Sequence, residues 1–147
     1  MSAATFRTIA DELVAALDGA SFSQAISPGL SRLADRTPQD LETLAVTVVR
    51  QAITLTEGDR GGDLADYRLN IVLEKKVSRR DAEAVAIDPL EDLAEEILDF
   101  VSAADLDTPG PPVACEQDPI FDPETLKTKH IFLSVITPTY RHLRTQP

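Results

Sequence analysis

The chain has 147 residues, 43% of them hydrophobic, which is enough for one domain built around one sizeable core. Its 25 Asp and Glu residues outnumber 14 Lys and Arg, and the resulting net charge of -11 repels nucleic-acid phosphates and anionic membranes, arguing against tight DNA binding. A single cysteine, Cys115, excludes an internal disulfide and a cysteine metal cluster, and no apolar run approaches the roughly 18 residues that span a bilayer.

The N-terminus lacks the basic and apolar stretches of a signal peptide, so cytoplasmic synthesis is expected. Phe6, Ile9, Ala10, Leu13 and Leu17 recur at helical spacing, with Thr5 placed to cap the helix and Gly19 to end it in the left-handed conformation. Between Phe22 and Arg36 a short distorted strand is expected, broken by Pro28 and Gly29, and a turn follows from Arg36 to Leu44. Leu44 to Val49 and Ala52 to Thr56 are rich in β-branched residues and alternate with period two. This predicts one long strand, or two joined by a bulge near Arg50 and Gln51.

The stretch EGDRGGD, Glu57 to Asp63, lacks both the lysine of a phosphate-binding loop and the ligand spacing of a calcium loop. Its paired glycines and small polar neighbours predict a flexible hairpin connection over about 57–66. In the strand that follows, Tyr67, Leu69, Ile71, Leu73 and Val77 share a core face. Arg68, Asn70, Glu74 and Lys76 take the other, and Val72 breaks the pattern. Asp88, Pro89 and Glu91 supply the cap, first-turn proline and capping-box acid of a helix predicted over Pro89 to Ala103, whose apolar stripe is Leu90, Leu93, Ile97, Phe100, Val101 and Ala104. Asp92, Glu95, Glu96 and Asp99 form its solvated side. A proline- and acid-rich connection over about 105–119 and a short turn near Asp122 lead to a last strand, His130 to Leu143. There Pro138, which has no N–H, predicts a sheet edge or a bulge.

Helix, strands, helix and strand in this order predict a single α+β domain over 1–147: a mainly antiparallel sheet with two helices packed on one face. Catalytic groups are sparse. His130 and His142 lie about 40 Å apart along an extended strand, and Cys115 has no basic neighbour to lower its thiol pKa. No convergent acid and base pair is evident, so a non-enzymatic protein without metal or cofactor is expected.

The charge is uneven, because no acid follows Glu124 while Lys127, Lys129, Arg141 and Arg144 all lie beyond it. The N-terminal helix, DLETLAVTVV with ITLTEGDR, then DYRLNIVLEKKV, IDPLEDLAEEILDF and FLSVITPTYRHLR together resemble the tail terminator, or tail-completion, proteins of long-tailed bacteriophages and prophages. The likeness runs from about Thr5 to Arg144. It implies a ring, commonly a hexamer, assembled in the bacterial cytoplasm and carried in the virion. Such a ring caps the head-proximal end of the tail tube, stops its growth and meets the head connector, while DNA passes through the lumen unbound. The residues expected at its contacts are Glu57, Asp59, Arg60, Asp63, Arg68, Lys127, Lys129, Arg141 and Arg144, with the basic C-terminal segment meeting an acidic helix or loop of the neighbour. Two alternatives are a neck or stopper subunit and a small acidic module that binds or inhibits a basic protein.

Overall fold

The computed structural model describes residues 5–30, 43–56, 63–77 and 83–144, apart from the side chains at 63, 83, 84 and 144. Its elements are α1 (Thr5–Gly19), β1 (Pro28–Leu30), β2 (Ala45–Thr56), β3 (Asp63–Lys76), α2 (Glu83–Ala86), α3 (Asp88–Ala103), β4 (Ala114–Gln117), α4 (Pro123–Lys129) and β5 (Ile131–Arg144). The five strands form one sheet in the order β1-β2-β3-β5-β4, antiparallel except for the β1–β2 pair. This is the expected α+β fold.

Helices α1 and α3 bury the predicted stripes. Ile9, Leu13 and Leu17 of α1 and Leu93, Ile97 and Val101 of α3 meet Val46, Val48, Tyr67, Leu69, Ile71, Leu73, Ile136 and Tyr140 in one core. Each large side chain fully removed from water there is worth about 1.5–3 kcal/mol. A second cluster of Ile87, Leu90 and Phe132 is extended by Phe121, whose ring stacks on Phe132 at 6.5 Å, and by Leu126. Two carboxylates tie loops onto the helices. Glu12 of α1 accepts from the backbone N–H of Thr108 at 2.7 Å and from its hydroxyl, and Glu96 of α3 accepts from the backbone N–H of Ser23 at 2.9 Å and from its hydroxyl. Glu96 is therefore engaged rather than merely solvated.

Several local expectations are corrected. Thr5 is itself the first helical residue, and Gly19 does not adopt the left-handed conformation; α1 ends with the Ala20 N–H donating to the Leu17 carbonyl at 3.3 Å. Pro28 and Gly29 lie within β1 instead of breaking it, while the turn expected from Arg36 falls almost wholly outside the described residues. Asp88 does not cap α3, because the short α2 leads directly into it. The backbone at Ile87 is already helical, and its carbonyl accepts from the N–H groups of Leu90 and Glu91 at 2.9 Å each. The turn near Asp122 is the helix α4, with the Asp122 side chain accepting from the Glu124 N–H and His130 ending it at φ 55°. The proline-rich connection contains β4.

The far face of the sheet is also less open than its sequence suggests. Val72 and Glu74, opposite Thr47 and Ala45 on β2 and Val135 and Leu133 on β5, are buried, as is Thr47. β3 is the central strand, so side chains from both neighbours flank these positions.

Candidate functional site

A line of irregularities crosses the three long strands at one level. The β2–β3 register shifts between Arg50 and Ala52, opposite Leu69 and Arg68. This is the bulge expected near Gln51. On the other side of β3, ladder pairs run from Asp63–Arg144 to Arg68–Thr139 and resume at Ile71–Ile136. The positions skipped are Leu69 and Asn70, opposite Pro138 and Thr137.

Proline explains the gap, and the expectation of a sheet edge or a bulge is corrected on both counts: β5 is internal here, and the pairs on either side of the gap keep one register. The Thr139 carbonyl accepts from Val113 at 2.8 Å on the β4 side, so the alternation of a strand turns the backbone of Pro138 towards β3, where it can donate nothing. The Thr137 hydroxyl, donating to Asn70 Oδ1 at 2.9 Å, bridges the interrupted ladder. Pro138 is buried opposite Cys115, β5 is internal along this stretch, and β4 is the edge strand.

The line divides the sheet into two parts. On one side, β1 and β4 flank the long strands and helices cover the core face. On the other, β2, β3 and β5 run on as a three-stranded arm to Thr56, Asp63 and Arg144. All six residues from Gln51 to Thr56 are exposed, including Ile53 at 45% and Leu55 at 54%, and Leu143 is 51% exposed. Asp63 to Asp66 belong to this arm, so the connection expected over 57–66 is shorter at its C-terminal end.

The residues expected at assembly contacts separate accordingly. Arg68 and Arg141 lie exposed on the arm, and Asp63 and Arg144 are the ends of its β3 and β5 strands. Glu57, Asp59 and Arg60 lie outside the described residues. Lys127 and Lys129 are exposed in the last turn of α4, where cations complement the helix dipole, at the opposite end of β5. The basic segment is thus two sites separated by a long strand. Arg141 is also not unopposed: its Nε donates to Asp66 Oδ1 at 2.8 Å and its Nη2 to Oδ2 at 3.2 Å, which holds the Asp66 carboxyl below its ordinary value. Sequence reading missed this pair because the facing acid is fixed by the β3–β5 register, in which Asp66 stands opposite Arg141.

Burial pushes the Cys115 thiol up, away from the thiolate that nucleophilic chemistry uses. The nearby Tyr140 hydroxyl is buried without a hydrogen-bond partner among the described residues, and desolvation raises its pKa as well. An open cleft of about 490 Å³ between Gln24, the end of β3 and the start of α3 is lined by Lys75, Lys76, Val77, Val85 and Pro89, with neither carboxylate nor imidazole among the described lining residues. Among the described residues no group of three or more His, Cys, Asp or Glu side chains is arranged to hold a metal ion. Comparison with protein-family models and with curated proteins yields no match.

Proposed function

We propose that the chain is a structural ring subunit of the tail terminator type, closing the head-proximal end of a phage or prophage tail tube. The observation that carries this reading is the arm itself. A sheet that runs past its covering helices and leaves Ile53, Leu55 and Leu143 in solvent has built strand surface that its own core does not use. Sequence likeness supplies the particular assembly. In this reading the helical half is a rigid body, the arms join copies into a closed ring, and the closed ring leaves the tube end with no surface for the next tube subunit. The net charge of -11 suits a ring through which DNA slides, since an acidic wall repels phosphate.

The test is tube assembly in vitro. Substoichiometric addition of this protein to the cognate polymerising tail tube protein should shorten the tubes and place a disc of density at one end in negative stain. Tubes of unchanged length without end density would contradict the reading, and capture of the portal complex in place of the tube would favour a stopper.

A further inference from the structure

Among the described residues the arm has two backbone edges with no paired outer strand. Among the described residues β1 pairs with β2 at Val46 to Val48 and β4 with β5 at Ile136 to Thr139, so from Ala52 onwards on β2 and from Tyr140 onwards on β5 no described strand lies alongside. Which groups are bare follows from the same alternation. Tyr140 turns its N–H and carbonyl towards Tyr67, so Arg68 faces Ala52, and Ile53 and Leu55 point their backbone groups outwards. On β5 the outward groups belong to Arg141 and Leu143.

Soluble proteins guard such edges with charge, proline or a cover. Gln51 to Thr56 reads QAITLT, with no charge and no proline, in a chain where 27% of residues are charged. We infer that this β2 edge takes the Arg141–Arg144 edge of β5 from a second copy of the chain, continuing the sheet from subunit to subunit. The inference rests on the ring reading and names its contact.

Three features select this occupant. Both β2 and β5 run antiparallel to β3, so they point the same way, and copies related by rotation about an axis close to the strand direction pair β5 with β2 in parallel. The two patches differ, which makes the contact heterologous, the kind that closes rings. Charge agrees with direction: parallel pairing sets Arg141 and Arg144 of one copy towards the end of β2 in the next, where the chain continues with Glu57 and Asp59. Arg141 is 49% exposed despite its bond to Asp66.

Proline at position 53 removes only an outward N–H and spares the β2–β3 ladder. Ile53→Pro should therefore unfold cooperatively like the parent yet run as a monomer in native mass spectrometry. Leu55→Lys, which keeps every N–H and adds an edge charge, should do the same, and serves if the proline variant does not fold. In a Cys115→Ala background, Thr56→Cys with Leu143→Cys and a short bismaleimide should give a ladder of oligomers, whereas each single variant should give none. Folded variants that still assemble would overturn the edge contact while leaving the ring reading in place. Dimers from Thr56→Cys alone would overturn it in favour of two-fold β2 pairing. A parent chain that is monomeric at every concentration would remove the ring reading and this contact together.

Discussion

The two parts of the sheet share three strands but differ in what completes them. In the inner part Leu69, Ile71 and Leu73 are fully buried beneath α1 and α3, and side strands occupy both edges. In the arm the same β2 and β3 stay paired beyond the bulge, yet Ile53, opposite the buried Tyr67, is 45% exposed. The root of the arm still packs on the core through Ala65, Tyr67 and Tyr140, but its β2 strand and its far end rest on strand pairing. Helix-covered core is therefore concentrated on one side of the irregular line and exposed apolar side chains on the other.

The largest expected contrast is between two leucines. Leu69→Ala should cost about 2–5 kcal/mol of folding free energy through lost burial and a residual cavity, while Leu55→Ala should fall within about 0.5 kcal/mol of the parent. Urea unfolding of the two variants checks this, and equal losses would abolish the division. Next comes the loop tie on α1. Glu12→Ala removes a carboxylate that accepts two hydrogen bonds from Thr108, and about 1.5–3 kcal/mol should be lost in the same assay. A smaller effect is expected at the irregular line, where Asn70→Ala removes the bond bridging the proline gap and should cost about 0.5–1.5 kcal/mol. Hydrogen exchange should then quicken at the arm amides before those of the inner strands.

The smallest effect is electrostatic. The carboxyl of Asp66 is held low by Arg141, so its contribution is complete above the unfolded carboxyl pKa and disappears as pH falls through the lowered folded value. Arg141→Gln should therefore lower stability slightly at neutral pH, as expected for an exposed pair, and leave it unchanged once Asp66 is protonated in both states, so that the acid limb of a stability-against-pH curve flattens.

How much of this was legible in sequence depended on the range of the interaction. The stripes of α1 and α3 and the alternation of β3 were readable because 3.6- and two-residue periods are local, and the β2 bulge appeared as a break in alternation at Arg50 and Gln51. The capping of α3 was misread because Ile87, preceded by α2, does what Asp88 was expected to do. β4 was hidden by surrounding prolines, and with it the internal position of β5, although the proline that interrupts the β5 ladder was visible. Of the candidate site, the charged residues were visible but their grouping was not. Strand length separates Lys127 and Lys129 from Arg141, and register pairs Arg141 with Asp66. The uncharged stretch from Gln51 to Thr56 looked like ordinary strand, since nothing in its residues says which side chains stay exposed.

The central claim is that these arms join copies of the chain into a closed ring, and the native mass of the unaltered protein tests it most directly. The account predicts one dominant closed oligomer, a hexamer by the family likeness, at micromolar concentration and physiological salt. A monomer that persists as concentration rises, with or without tail tube protein present, would contradict it.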